Sequence, residues 1–313
     1  MIRITLAAVL ATTAQQATPP VAQEANQANP QSLEQNPVAA PAPAPAPAAS
    51  PAPEPHRPPP GYELVFADEF NTGTQPDPDN WFYDDHRNAQ GWYNNELQYY
   101  AVNRRENARI ENGALIIEAR KEDLSSARLN DFGGQEYTSA RLTTQRRSAW
   151  TYGFFEVRAK LPCGRGTWPA IWMLPEDESI TWPNGGEIDI MEHVGYEPGV
   201  IHHSVHTKAF NFSRGTQKTT SHDVPTACDR FHRYQLLWRE DLLVFAVDDA
   251  PRFAFRKERD GNARWPFDQD MHLLLNIAVG GDWGGRKGVD DDRFPQAMII
   301  DHVRVYQKPE ESE

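Results

Sequence analysis

Short apolar segments of strand length, separated by turn-forming residues, recur along most of this chain. Residues 62–70 (YELVFADEF) alternate apolar and polar side chains, and residues 272–279 (HLLLNIAV) place four aliphatic side chains on one face. No segment of ten or more residues has the 3.6-residue periodicity of an amphipathic helix. The sequence therefore predicts an all-β sandwich of packed sheets. Further strand-length segments are 114–119, 138–143, 153–161, 167–174, 200–209, 234–238, 242–248 and 298–306.

The first 60 residues lack the composition of a folded domain. Residues 1–14 combine one positive charge (Arg3) with a short apolar run and small residues, which predicts a secretory signal peptide; a merely apolar terminus is the alternative. Residues 15–60 are rich in Pro, Ala, Gln and Asn, a composition that cannot bury a core and predicts an extended, disordered linker. We therefore expect one folded domain over residues 61–308 of a secreted or periplasmic protein.

Charge and cysteine content restrict the partners. The formal net charge is -13, which disfavours nucleic acid and anionic membranes as partners. No apolar run reaches the roughly 18 residues that a membrane span requires. The chain has two cysteines, Cys163 and Cys228, whose spacing does not suggest a metal site; a disulfide is possible in an oxidising compartment. We expect a monomer.

The segment 184–196 (NGGEIDIMEHVGY) places three acids within six residues. On a strand, Glu187 and Asp189 share one face, while Ile188 points to the other. Strict alternation would put Glu192 on the apolar face, where an unpaired carboxylate is costly. One extra residue absorbed as a β-bulge, at about 190–191, returns Glu192 to the acidic face. The sequence thus predicts a bulged strand with three carboxylates facing a cleft.

Such a row of acids suits the cleavage of a glycosidic bond. The Cα atoms of Glu187 and Glu192 would lie roughly 13 Å apart at ~3.3 Å per residue. Their side chains could then lean over Asp189 and bring the carboxyls to the ~5–5.5 Å used by retaining glycosidases. Because neighbouring like charges raise a pKa, one acid would stay protonated beside an ionised nucleophile. An exposed acidic strand or a cation site is the alternative interpretation.

Aromatic, amide and histidine side chains accompany the acids. Alternation along residues 167–174 (TWPAIWML) puts Trp168 and Trp172 on one side, and with Trp182 nearby they suggest a platform for sugar rings. Residues 92–100 (WYNNELQYY) offer polar groups for sugar recognition. Antiparallel return through the turn at 195–199 would place His202 near Glu192 and His206 near Glu187. Metal binding by these histidines is a further alternative, although no H-E-x-x-H motif is present.

The ordered set of segments resembles glycoside hydrolase family 16, and within it the laminarinase-type enzymes that cleave β-1,3-glucans. Besides EIDIMEH, the similarity includes VFADEF, NNELQYY, YTSARLTT, GRGTWPAIWMLP, LNIAVGGDWGG and IDHVRVY, and it covers residues 61–308. The resemblance implies a jelly-roll sandwich of two curved antiparallel sheets with a cleft on the concave face. The five-residue step from Glu187 to Glu192 is similar to the bulged branch of the family; its lichenase branch has a regular strand.

The resemblance also implies roles for individual residues. Glu187 would be the nucleophile, Glu192 the acid/base, and Asp189 the partner that holds the charge balance between them. No cofactor would be needed for catalysis. A structural Ca²⁺ would be held by Glu69, the Gly113 carbonyl and Asp301, a set of oxygen ligands that suits this ion. The residues expected to bind sugar are Asn95, Glu96, Trp168, Trp172, Trp182, His206 and Trp283.

The function expected from the resemblance is retaining endo-hydrolysis of a β-1,3-glucan such as laminarin. Mixed-linkage β-glucan and galactan are alternative substrates on the same scaffold. A non-catalytic glucan-binding module is the other alternative, and the presence of all three acids speaks against it.

Overall fold

The computed structural model describes residues 58–127, 129, 131–258 and 261–309. The predicted signal peptide and most of the predicted linker lie outside the described residues. All described elements belong to one compact unit. Within these residues, no helix combines the length and the apolar character that a bilayer crossing requires.

The described part of the chain is built from seventeen strands, and its helical structure consists of four three-residue 3₁₀ helices. In chain order, the strands are β1 (Glu63–Asp68), β2 (Phe82–Tyr83), β3 (Gln98–Tyr100), β4 (Ala108–Glu111), β5 (Ala114–Lys121), β6 (Tyr137–Ser139), β7 (Arg141–Thr143), β8 (Gly153–Lys160), β9 (Thr167–Pro175), β10 (Glu187–Glu192), β11 (Val200–His206), β12 (Lys218–Asp223), β13 (His232–Arg239), β14 (Leu242–Val247), β15 (Ala250–Arg256), β16 (Met271–Val279) and β17 (Gln296–Gln307). The 3₁₀ helices are Asn88–Gln90, Tyr93–Asn95, Phe212–Arg214 and Asp291–Arg293.

The strands form two sheets, which confirms the predicted all-β jelly-roll sandwich. The ten-stranded sheet has the order β15-β14-β13-β8-β17-β5-β6-β3, with β1 added to β17 and β4 added to β5. The seven-stranded sheet has the order β12-β11-β10-β9-β16-β7-β2 and carries the acidic strand β10 near its middle. Pairing is antiparallel except between β3 and β6, which are parallel.

One apolar core lies between the sheets. The seven-stranded sheet contributes residues such as Ile171, Ile188 and Leu273, and the ten-stranded sheet contributes Phe155 and Val303, all with at most 1% of their surface exposed. The alternation seen in the sequence therefore separates a core face from an outer face on the seven-stranded sheet. The acids of β10 occupy that outer face.

Several strands differ from their predicted form. The segment 138–143 was expected to be one strand, but it breaks at Ala140 because the chain passes from the ten-stranded sheet (β6) to the seven-stranded sheet (β7). Five short or polar strands, β2, β3, β4, β12 and β15, were not predicted. β12 (KTTSHD) is an edge strand with few apolar side chains. β15 is also an edge strand and contains Pro251. An edge strand tolerates proline because it pairs with a neighbour on one side only, so the missing N–H can face away from the sheet.

A disulfide joins Cys163, after β8, to Cys228, before β13. Its sequence separation is 65 residues, so it closes a long loop that contains β9 to β12. Gly195, just after β10, packs so closely on this region that a Cβ atom would lie 1.8 Å from the carbonyl oxygen of Gly164. Only glycine fits there.

Candidate active site

The predicted bulge is present in β10. Against β9, Asp189 pairs with Trp172 and the next pair is Met191 with Ile171, so Ile190 is the extra residue. The side chains of Ile190 and Met191 are both fully buried in the core. The bulge therefore turns two consecutive side chains inward and restores the outward direction for the residue that follows.

Pairing with β11 confirms the predicted register. Glu187 lies opposite His206, and Glu192 lies opposite His202, with the register shift between Asp189 and Glu192. The three carboxylates consequently project from one strand to the same side of the sheet. A lone carboxylate in the core is avoided, as the sequence argument required.

Each acid has a specific partner on the outer face. Trp168 donates its indole N–H to Oε1 of Glu192 at 3.0 Å. Trp182 favours the ionised form of Glu187 and thus lowers its pKa, whereas the charge of Asp189 raises it. Nε2 of His206 lies 3.3 Å from Oδ2 of Asp189 and 3.7 Å from Oε1 of Glu187. The partners hold the carboxyl groups in a fixed arrangement rather than leaving them to sample solvent.

Burial raises the pKa values of all three acids, so they do not all ionise easily. Burial, followed by repulsion from Asp189, raises the pKa of Glu187 to about 8, with His206 acting in the opposite direction. Burial likewise raises the pKa of Asp189 to about 8. Burial and then the charge of Asp189 raise the pKa of Glu192 well above its ordinary value. The trio therefore retains protons at neutral pH, which supplies the protonated acid that cleavage of a glycosidic bond requires.

A cavity of about 410 Å³ opens over the three acids. Its walls are mainly aromatic and polar, the composition expected for a site that holds sugar rings. The predicted residues among its lining are Glu96, Trp168, Trp172 and Trp182, together with Glu187, Asp189 and Glu192.

The remaining predicted sugar-binding residues lie around this cavity. His206 contacts the acids from β11, and Trp283 packs edge-on against Trp168 with ring centroids 5.2 Å apart. Asn95 is exposed and donates its amide to Asp282 at 2.8 Å. That bond ties the 93–95 turn to the loop carrying Trp283, so Asn95 shapes the rim of the cleft.

Several lining residues were not predicted from the sequence. The guanidinium of Arg141 lies 4.8 Å from the ring centroid of Trp172 and its Nε lies 2.8 Å from Asp84. Although burial opposes it, Arg141 holds the pKa of Asp84 down at about 2, so this pair stays charged. Asp84 and Arg141 are far apart in the sequence, so no local pattern predicted their ion pair. The other unpredicted lining residues are His86, Tyr93, Asn94, Ala170, Leu174, Phe212, Asn276 and Ala278.

The predicted calcium ligands are only partly suited to a cation. Both oxygens of the Glu69 carboxylate accept hydrogen bonds from Arg304, at 2.6 and 2.8 Å, so this side chain is used in an ion pair. Oδ2 of Asp301 lies 3.0 Å from both Arg158 and His302. Gly113 lies close to Asn71, two residues after Glu69.

Two clusters in the described residues bring three metal-ligating atoms within 4.8 Å of one another. In Cys163–His193–Cys228, the disulfide occupies both sulfurs. In Glu187–Asp189–His206, the groups contact one another directly, as described above.

Comparison with known proteins places this geometry in a family. Residues 95–298 match the sequence model of Glycosyl hydrolases family 16. The chain is 52% identical over 255 residues to a beta-glucanase of Rhodothermus marinus, covering 79% of this chain and 86% of that protein. The crystal structure of a laminarinase from the same organism superposes with a TM-score of 0.74 at 50% identity, covering 79% of this chain and 97% of that one.

A second solved structure is a mutant of a non-specific endo-beta-1,3(4)-glucanase from family GH16, co-crystallised with 1,3-beta-D-cellotriosyl-glucose. It superposes with a TM-score of 0.78 at 51% identity and covers 82% of this chain and 98% of that one. The family match spans the strand with the three acids, most of the cavity above it and most of both sheets. This protein belongs to glycoside hydrolase family 16.

Proposed function

We propose that the protein is a secreted, monomeric, retaining endo-hydrolase of β-1,3-glucan. The observation that carries this proposal is the bulged strand β10, which projects Glu187, Asp189 and Glu192 into one aromatic-lined cavity. Similarity to a laminarinase over nearly its whole length supports the choice of glucan. The N-terminal sequence features support secretion.

In the proposed first step, Glu192 donates a proton to the glycosidic oxygen while Glu187 attacks C1 of the sugar. The C1–O bond breaks, and a covalent glycosyl-enzyme forms. Water then attacks C1, Glu192 takes up its proton, and Glu187 leaves. Two displacements at C1 return the β configuration.

Asp189 and His206 serve the nucleophile in this scheme. Asp189 projects to the same side of β10 as Glu187, and its charge raises the pKa of Glu187. His206 lies within 3.7 Å of Glu187 and favours its ionised form. When Glu187 bonds to the sugar, it loses its negative charge. Asp189 can then release its proton and become ionised, so the total charge of the three acids changes little.

Mixed-linkage β-1,3-1,4-glucan is the second candidate substrate. The relative co-crystallised with 1,3-beta-D-cellotriosyl-glucose is described as a non-specific endo-beta-1,3(4)-glucanase, and its structure matches this chain at 51% identity. A cavity that accepts both linkages would bind sugar faces by stacking and would make few linkage-specific hydrogen bonds. The relative rates on laminarin and lichenan decide between a selective and a non-selective enzyme.

The central experiment compares the wild type with Glu187→Gln on laminarin, lichenan, agarose and carrageenan. We expect glucan hydrolysis by the wild type and a loss of at least about 10³-fold in kcat for the variant, because an amide cannot attack C1. Glucan binding should persist. Glu111→Gln, an exposed glutamate on the other sheet, serves as the matched control. Wild-type rates in Glu187→Gln would refute the assigned nucleophile.

Retention is tested separately by proton NMR of the fresh hydrolysate. We expect the β anomer to be released first and the α anomer to grow in by mutarotation. Initial release of the α anomer would mean a single displacement, which needs carboxyls roughly 6.5–9.5 Å apart.

We also propose a structural Ca²⁺ bound by the carbonyls of Glu69 and Gly113 and by Asp301. Added Ca²⁺ should raise the melting temperature, because an ion bound only by the native state stabilises it. Asp301→Asn also loses an ion pair with Arg158, which changes the melting temperature by itself. The informative quantity is therefore the difference between the melting temperatures with and without Ca²⁺. That difference should disappear in Asp301→Asn and persist in Glu240→Gln, a change at an exposed glutamate in the turn between β13 and β14. An unchanged wild-type melting temperature with and without Ca²⁺ would argue against the site.

A further inference from the structure

We infer that His203 is a positioning residue for catalysis, because its ring holds the backbone of the bulge between the catalytic acids. Nδ1 of His203 lies 2.6 Å from the carbonyl oxygen of Ile190. Ile190 is the extra residue of β10, placed between Asp189 and Glu192. The inference rests on the proposed function, and it assigns a role to a residue that does not touch the cleft.

The register explains why a side chain is needed at this point. On β11, Ser204 pairs with Asp189 and His202 pairs with Glu192, so His203 alone faces both Ile190 and Met191. The backbone of one residue on β11 cannot form the regular hydrogen bonds of strand pairing with two residues on β10, so the pairing is disrupted at the bulge. The bond from the imidazole satisfies the Ile190 carbonyl inside the core, where an unpaired carbonyl would be costly.

The hydrogen bond also defines the state of the ring. A carbonyl oxygen only accepts, so Nδ1 of His203 must carry the proton. The ring is fully buried, and burial lowers the pKa of His203 to about 3. The imidazole therefore stays neutral at any pH where the carboxylates could work, and its donor is always available.

Neighbouring rings fix the direction of this donor. His222 stacks on His203 with centroids 5.1 Å apart and an interplanar angle of 17°, and Phe245 packs nearby at 5.5 Å. The Ile190 carbonyl is thus held by a ring that cannot turn freely. Rotation of that peptide would redirect Met191 and then Glu192, and a misplacement of about 1 Å at a catalytic group can cost about 10²-fold in rate.

The experiment compares substitutions that remove or keep the donor. His203→Leu removes it, whereas His203→Asn keeps an N–H close to the position of Nδ1. On laminarin we expect kcat to fall about 10- to 100-fold in His203→Leu, with KM within about threefold of wild type. His203→Asn should recover kcat to within about threefold. His222→Leu removes the stacked ring but keeps the hydrogen bond, so it should lose less kcat than His203→Leu.

A second readout identifies which acid has moved. A β-glucoside with an activated aryl leaving group needs little protonation by Glu192 during bond cleavage. His203→Leu should lose less activity on it than on laminarin. A His203→Leu kcat within twofold of wild type, or His203→Asn as impaired as His203→Leu, would overturn the inference.

Two further comparisons keep the inference testable. If His203→Leu does not fold, His203→Asn is compared with His203→Gln, whose longer side chain displaces the donor; equal activity of these two would count against positioning. Crystal structures of the variants report on the bulge whatever the substrate. An unmoved Glu192 in a donor-free variant would overturn the inference. If the wild type were inactive on glucan but Glu192 had moved in the donor-free variant, the proposed function would be refuted and the role of His203 would stand.

Discussion

Trp168 donates its indole N–H to Oε1 of Glu192 from the neighbouring strand, across 3.0 Å. The register makes this contact possible, because Glu192 pairs with Ala170 and Trp168 lies two positions further along the same face of β9. One tryptophan thus both lines the cavity and orients the proposed acid/base. The bond favours the ionised form of Glu192, in opposition to burial.

Trp168→Phe should therefore move the pH dependence of catalysis. Removing a donor to the carboxylate raises the pKa of Glu192, so the alkaline limb of kcat/KM should shift upward by about one pH unit. The profile is measured on laminarin between pH 5 and 10. Trp172→Phe is the control, because its indole donates to the neutral Asn276 and should leave that limb in place. An unmoved or lowered limb in Trp168→Phe would contradict the assignment.

Glu187→Gln should stabilise the folded protein at alkaline pH. With its pKa near 8 in the folded state and about 4.5 when unfolded, Glu187 binds more protons folded than unfolded between these values. The free energy of unfolding of the wild type therefore falls as pH rises through this window. Glutamine does not titrate, so the variant should melt roughly 3–8 °C above wild type at pH 8 and close to it at pH 4. An equal difference at both pH values would contradict the linkage.

Phe212→Ala should weaken binding without slowing the chemical step. Phe212 is 50% exposed, lines the cavity, and lies 5.0 Å from Trp182 between ring centroids. Stacking of this kind contributes about 1 kcal/mol, so KM for laminarin oligosaccharides should rise about fivefold with kcat within twofold. Val65→Ala, at a similarly exposed site on β1, should leave both unchanged. A fall in kcat with constant KM would place Phe212 in the chemical step instead.

Loss of the disulfide should lower stability. Cys163 and Cys228 are 65 residues apart, and closing a loop of this length restricts the unfolded chain by about 4 kcal/mol in the entropic account. The double variant Cys163→Ser/Cys228→Ser should lose about 2–4 kcal/mol in denaturant unfolding and keep its activity at 25 °C. Two titratable thiols in the native wild-type protein would show that the bond does not form.

The geometry of β10 followed from local rules of the sequence. Alternation and the cost of burying Glu192 required a bulge near 190–191, and the short turn at 195–199 then fixed the pairing with β11. Both are confirmed because each depends on residues that are close in the chain. Strand-length apolar segments predicted most of the sandwich for the same reason.

Features that depend on distant residues could not be predicted in this way. Arg141 enters the cavity wall because Asp84, on another part of the chain, compensates its charge. Glu69 forms an ion pair with Arg304, 235 residues away, which no local pattern indicated. The break at Ala140 arises where one continuous polar–apolar segment serves two sheets. Each of these is decided by tertiary contacts that composition and periodicity do not encode.

The single extra residue in β10 has an evolutionary consequence. Deleting the codon for Ile190 or Met191 would leave a regular strand in which the three acids occupy every second position, so all of them would still face the cleft. Bulged and regular forms of the strand are thus separated by one deletion, with no intermediate sequence that buries an acid. The deletion would change the distance between Glu187 and Glu192. It would also remove the unpaired carbonyl that the side chain of His203 satisfies. A lineage can therefore retune the distance between its catalytic groups without first losing them.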